Sequence, residues 1–242
     1  MRTLYFVPII HSRTDTGSLA AALERSARAA LGNDVLRQHG EVVSMFWDSI
    51  AAFFSTLEVS GFKVYQDGLL ADGETGLHIV GQGVKGRSQN YMIIGDLLQR
   101  GAVLVKTEDI LLVKQEHDYV KRIAESRTPR EMEANTVRYK AAQARLLTQR
   151  DTFIAERISR TLKEDDTGIL FLGAYHNVLP RLPDDIVVVQ VKDVVELREY
   201  HRGLTGAKGF PKELAERIVS PVSQKTGKTT EPVQSRHNSG CT

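Results

Sequence analysis

The chain has 242 residues, of which 41% are hydrophobic and 26% charged, with a formal net charge of +2. That length accommodates one large α/β domain or at most two small ones, and the near-neutral charge gives no bulk electrostatic case for nucleic acid or an anionic membrane surface as partner. The single cysteine, Cys241, excludes an intramolecular disulfide and a cysteine-based metal site.

That cysteine usage is compatible with a reducing, cytoplasmic setting. No apolar run reaches the ~20 residues that span a bilayer, and the N-terminus lacks the small-residue cleavage site of a secretory signal.

In chain order, Thr3 to Ile10 reads as a first strand, rich in aromatic and β-branched residues. Pro8 cannot donate to a ladder, so the strand has an open side there or ends close by. Ser18 is placed to cap a helix running to Leu31, stopped by Gly32 and Asn33. A second helix is expected from about Val42 to Leu57, with Val43, Phe46, Ile50, Phe53 and Phe54 on one side. Phe62 to Gly68 reads as a strand closed by an Asp-Gly turn. The glycine-rich stretch from Gly73 to Gly86 is expected to form a loop and a helix start. Tyr91 to Gln99 reads as a helix capped by Gly101, and Ala102 to Lys106 as a third strand. Ile110 to Glu125 has helical spacing, Pro129 breaks it, and Arg130 to Leu162 is a long charged helix without a breaker. Gly168 to Gly173 is a short apolar run bounded by charge, which is the pattern of a fully buried strand. Ile186 to Val191 is another, and Asp193 is placed to cap a following helix. A last helix is expected over Phe210 to Ile218. From Ser220 onward almost nothing apolar remains to bury. The expectation is therefore a single α/β domain over residues 1–220, with a mainly parallel sheet flanked by helices and a long helical insertion in the middle. Residues 221–242 are expected to form a disordered tail.

Two of the seven histidines end apolar strands: His11 after Pro8-Ile9-Ile10, and His176 after Gly173-Ala174-Tyr175. Open α/β sheets hold ligands at the carboxyl ends of their strands, so the pair is expected to share one pocket. Neutral imidazole there suits a divalent metal or a general base. His39, His117 and His201 lie in charged helical surroundings and read as solvated or capping groups. Asp67 and Glu108 also follow apolar runs and reach the same sheet edge, although a turn aspartate and a helix cap explain the Asp67 and Glu108–Asp109 positions equally. Arg150 lies on the side of the helix that leads into the Gly168 strand, where its planar fork suits a substrate carboxylate or phosphate. The spacing Gly81-x-Gly83-x-x-Gly86 satisfies a loose dinucleotide-type pattern, but no strand precedes it directly.

Gln149-Arg150-Asp151 on a helix, about two dozen residues before a strand ending Gly173-Ala-Tyr-His176, resembles the TraB/TIKI group. That group belongs to a wider superfamily with the ChaN-type and erythromycin-esterase-type proteins. The resemblance spans roughly Tyr5 to Lys192. The chain has Pro8-Ile-Ile-His11 where the group has Gly-Thr/Glu-x-His, and Gln149 where it has glutamate. The resemblance implies divalent-metal-assisted hydrolysis of amide or ester bonds, with some members binding haem or acting as regulators. On that pattern His11 and His176, with Asp67 and Glu108, would hold Mn²⁺ or Zn²⁺. His11, His176 and Arg150 would be catalytic, and Arg150, Tyr175 and Asn177 would contact a small-molecule or peptide substrate. The other expectation is a non-catalytic module that recognises a small anion or regulates a partner from the same pocket.

Overall fold

The structure is a computed structural model that describes residues 1–10, 28, 31–204, 210–222 and 225–226. Five strands, β1 (Arg2–Ile9), β2 (Lys63–Gln66), β3 (Val103–Val105), β4 (Thr167–Gly173) and β5 (Ile186–Gln190), form one parallel sheet in the order β3-β2-β4-β1-β5. A two-residue strand, β6 (Lys225–Thr226), pairs antiparallel with β5. It carries the sheet past residue 220, where the domain was expected to end; His11 and residues 227–242 lie outside the described residues.

Among the described residues seven α-helices longer than one turn accompany the sheet: α1 (Asn33–Ser55), α2 (Gly73–Lys85), α3 (Gln89–Gln99), α4 (Ile110–Ala124), α5 (Pro129–Thr161), α6 (Val194–Leu204) and α7 (Lys212–Val219). Of the helix expected over 18–31, only Arg28 and Leu31 are described, both helical. Gly32 breaks the chain with φ +78°, as expected, but α1 restarts at once, nine residues before the expected Val42. The added turns are polar and mostly exposed, so they carry no apolar period to read. Asp193 and Asp109 do cap α6 and α4: each Oδ1 accepts two backbone N–H bonds of the first turn.

Alternation along the strands puts α1 and α5 on opposite faces. Tyr65 and Leu170 are register partners on one face, and the Tyr65 hydroxyl meets Thr161 of α5 at 2.8 Å. Phe171, on the other face, packs against Phe54 of α1 at 6.1 Å between ring centroids. The core is continuous through both layers, from Val43, Phe46, Ile50 and Phe54 below to Ile154, Ile158 and Leu162 above. Pro8 fits a strand with one open side. β1 pairs with β4 as far as Ile9 but with β5 only as far as Phe6, so the missing N–H falls beyond the second ladder.

Gly168 is required by packing rather than by a turn. A Cβ there would stand 3.0 Å from Leu4 Cδ1, 3.1 Å from Leu162 Cδ1 and 3.2 Å from Tyr65 Cε2. All three neighbours are fully buried and cannot swing away. Gly168→Ala is therefore expected to cost about 1–3 kcal/mol by overpacking, read as a lower midpoint in urea at unchanged slope; an unchanged midpoint would show that the core gives way freely.

Gly73 to Gly86 is not a loop. It is α2, with Gly81 and Gly83 inside the helix and Gly86 just past its end. A Cβ on Gly83 would collide with the ring of Tyr91, so this glycine lets α2 and α3 approach closely. No strand-to-helix phosphate turn forms at that motif.

The strand order creates one crevice. After β2 the chain moves outward to β3, and after β4 it moves the other way, over β1 to β5. Neighbouring strands whose connections diverge leave a gap at their carboxyl ends, which is where open α/β sheets place ligands. Asp67 follows β2 and His176 follows β4 at that gap.

Candidate functional site

Each strand end delivers its residue through identifiable hydrogen bonds. Asp67 continues the β2–β4 ladder: its N–H donates to Phe171 O at 2.9 Å, and its Oδ2 accepts from Gly173 N–H at 3.1 Å. His176 is brought back over the end of β4 by a turn in which its own N–H donates to Gly173 O at 3.1 Å. Glu108 sits just past β3, where the N–H groups of Thr107 and Glu108 both donate to Leu69 O at 3.0 Å. The Thr107 hydroxyl completes this link by accepting from Gln66 N–H at 3.0 Å. The loops after β2 and β3 are thus stitched together, and their carboxylates come to lie side by side.

Helix α5 crosses above this edge and contributes two consecutive charged residues to its otherwise apolar inner stripe of Ala142, Leu146, Ile154, Ala155 and Ile158. Consecutive helical residues diverge by about 100°, so Arg150 and Asp151 serve different partners. Asp151 takes the histidine: its Oδ1 is 2.6 Å from His176 Nδ1, and its Oδ2 accepts from Asn177 N–H at 2.9 Å. With a carboxylate accepting from it, Nδ1 carries the proton, and the lone pair of the neutral ring is on Nε2.

Arg150 takes the carboxylates. Nη2 donates to Asp67 Oδ1 at 2.6 Å and to Glu108 Oε1 at 2.5 Å, while Nε reaches both oxygens of Glu108 at 3.2 and 3.3 Å. Nη1 donates to Glu116 of α4, whose other oxygen accepts from the Tyr139 hydroxyl of α5 at 2.8 Å. The α4–α5 hairpin, with Tyr119 and Tyr139 in ring contact across it, is tied to the sheet edge through this guanidinium as well as through Asp151 and through Arg157, whose Nε donates to Lys106 O at 3.0 Å.

Among the described residues the charges do not balance. Asp67, Glu108, Glu116 and Asp151 face one arginine and one histidine, all of them buried or nearly so. Glu108 is 0% exposed, and burial pushes its carboxyl up to about 7 even with Arg150 beside it. Desolvation works against the cationic ring of His176, but the Asp67 and Asp151 carboxylates outweigh it and raise its pKa. Arg150 likewise stays charged, because three carboxylates overcome the cost of burying it.

Asp67, Glu108 and His176 form a group able to hold a metal ion. They offer one ligand atom each, and these atoms lie within 4.8 Å of one another. Donors on opposite sides of an ion at ~2.1 Å are ~4.2 Å apart, so a small contraction suffices. His176 Nε2 stands 3.7 Å from Asp67 Oδ2, too far for a hydrogen bond, and leaves a gap between them.

The fold therefore brings Asp67, Glu108, Arg150 and His176 into one cluster. Arg150 was expected to present its fork to a substrate anion; in the fold that fork is directed at three carboxylates. It is also no surface charge paired with Asp151 or Glu156, being 8% exposed and turned inward. Tyr175 is exposed, with its ring stacked on His201 at 6.1 Å, and Asn177 enters the cluster through its backbone. Asp109 is only a helix cap. His39 is bound to the Tyr200 hydroxyl at 2.9 Å, and His78 and His117 are exposed.

Two cluster members escaped the sequence reading. Asp151 has no role of its own in the Gln149-Arg150-Asp151 motif, yet it sits three and four residues before Ile154 and Ala155, on the buried stripe, and that spacing is the available signal. Glu116 carried none, since it is one of several charges on an amphipathic helix. No family model, curated protein or solved structure matches the chain.

Proposed function

We propose that the cluster binds one divalent metal ion, Mn²⁺ or Zn²⁺, and that the protein is a hydrolase acting on an amide or ester bond. The observation that carries this reading is His176. Its Nδ1 is locked to Asp151 and its Nε2 faces two carboxylates with no hydrogen bond of its own, which is the arrangement of a metal-ligating histidine with its outer carboxylate. The charge balance supports it as well, since a buried excess of carboxylate is what a divalent cation offsets. The ligands would be His176 Nε2, Asp67 and Glu108, and three protein ligands leave a position open for substrate or water. A cation held there supplies Lewis-acid polarisation of a carbonyl and activation of water.

The chain's own residues have distinct tasks in this proposal. Asp151 fixes the tautomer and plane of His176. Arg150 is a positioning residue: it holds Asp67 and Glu108 at the strand ends so that each keeps an oxygen toward His176. The Arg-Asp pair and the Gly-Ala-Tyr-His strand end, the two motifs shared with the TraB/TIKI pattern, are the elements that meet here, which supports hydrolysis as the reaction class.

Metal analysis of the purified protein and calorimetric titration with Mn²⁺ and Zn²⁺ test the site. Wild type is expected to bind close to one equivalent, Asp151→Asn to bind about 10–100-fold more weakly, and His176→Ala more weakly still. Assay of chromogenic esters and amides then tests the chemistry. Absence of metal binding by wild type, or hydrolysis that survives His176→Ala, would sink the proposal.

A further inference from the structure

On the other side of His176, toward β1 and α6, stands an arginine that the metal proposal leaves unused. Arg198, in the second turn of α6, donates through Nε to Ala174 O at 2.6 Å and through Nη2 to His176 O at 3.2 Å. Its guanidinium is thereby pinned beside the loop that presents His176. It is partly buried, and among the described residues no carboxylate pairs with it and Nη1 has no acceptor. Burial lowers its pKa, and Arg202 one turn on lowers it further, while Tyr175 and Asp151 act in the other direction from a distance. A cation taken out of water without a counter-ion is an unsatisfied charge.

Arg198 and His176 also border one cavity. It measures about 20 Å³, with Asn177 as a further polar wall and Phe6, Leu172 and Val178 among the apolar ones. A space of that size takes one oxygen-sized group. The site thus has an acidic flank on β2, β3 and α4 and an arginine on α6, with His176 between them.

We propose that Arg198 is an anion subsite, so that the substrate carries a carboxylate or phosphate whose oxygen seats on Nη1 while its scissile bond faces Asp67, Glu108 and His176. The placement of the scissile bond rests on the metal reading; the anion contact does not. A carboxylate or phosphate oxygen at Nη1 would accept a charge-assisted hydrogen bond and provide the missing counter-charge. Arg198 is well suited to this, because its two carbonyl anchors fix the plane of the fork before the anion arrives.

The test uses the full chain, metal-free, titrated separately with inorganic phosphate and with acetate while the His176 ring is followed by NMR. Zn²⁺ affinity of the same samples is measured by calorimetry. One or both anions are expected to bind and shift His176, and the tighter of the two identifies the substrate's group. Arg198→Met is expected to weaken anion binding about tenfold or more, with Zn²⁺ affinity held within about threefold and Arg202→Met behaving as wild type. The subsite is overturned if wild type binds neither anion, if Arg198→Met binds them equally well, or if that variant loses Zn²⁺ in parallel, since Arg198 would then serve only to hold the His176 loop. Should wild type bind phosphate through Arg198 but take up no Zn²⁺, the metal reading falls and the subsite stands.

Discussion

Arg150→Ala is expected to lower unfolding stability by about 3–5 kcal/mol, the loss typical of removing one partner from a buried ionic network. Among the described residues Arg150 is the cation hydrogen-bonded to Asp67, Glu108 and Glu116 together. Without it, the three carboxylates face one another in a largely dry site. Glu108 then takes up a proton more readily, which limits the loss but does not cancel it, because Asp67 and Glu116 have lost their hydrogen-bond donor too. The α4–α5 hairpin also loses one of its links to the sheet edge, the one that engages Glu116 of α4. Arg150→Lys is expected to recover only part of the loss, since one ammonium cannot reproduce a fork engaged through Nε, Nη1 and Nη2. Urea unfolding of the metal-free variants gives the measurement. A loss under ~1 kcal/mol, as for an exposed pair, would show that the network contributes little. Divalent metal is expected to stabilise Arg150→Ala, because the added cation supplies part of the missing charge.

The second large effect concerns pH. Glu108 has a folded-state pKa raised from 4.5 to about 7 by burial. Between those values the native state holds a proton that the unfolded chain has released. The resulting stabilisation is complete below about 4.5 and is lost as pH rises through about 7. A shift of that size corresponds to roughly 3 kcal/mol. His176, also raised, acts in the same direction, since protonation of its ring favours the folded state until pH passes its folded pKa. Comparison with Glu108→Gln, which does not titrate, isolates the first contribution. The stability of metal-free wild type relative to this variant is expected to fall between pH 5 and pH 8 by roughly 3 kcal/mol. Divalent metal reverses the sign, because it binds the deprotonated carboxylate and competes with the proton. A wild-type-minus-variant difference that stays flat over this range would place Glu108 at an ordinary acidity and show that burial does not penalise its charge.

Much of this architecture is written in local pattern. The buried strands β4 and β5 are legible because both faces are covered and the apolar run is unbroken. The long helix α5 is legible because it lacks a breaker from Arg130 onward. His176, Asp67 and Glu108 are legible as candidates because each follows an apolar run, and in a parallel sheet the ends of such runs share one edge. Other features depend on packing that a single sequence does not display. Strand order is one: nothing local shows that β4 lies between β2 and β1. The direction of Arg150 is another, because a helical arginine carries no mark of whether it meets an anion or a carboxylate. Glycine at 83 looks the same whether it opens a phosphate loop or admits Tyr91. The onset of α1 was missed because exposed helical turns need no apolar stripe.

The position of β1 in the sheet has a consequence for how the chain is made. Among the strands of this sheet β1 comes first in the chain, and its two neighbours, β4 and β5, begin at Thr167 and Ile186. During most of synthesis its apolar residues, Leu4, Phe6, Val7 and Ile9 among them, have no ladder to join. Only β2 and β3 can pair early, and three register pairs make a small platform. The sheet therefore closes from its centre late, when β4 inserts between β2 and β1. Such long-range pairing is slow and leaves unpaired strand edges open to aggregation while it waits. The chain whose β4 has not yet inserted, rather than the closed sheet, is the species with apolar strand edges exposed.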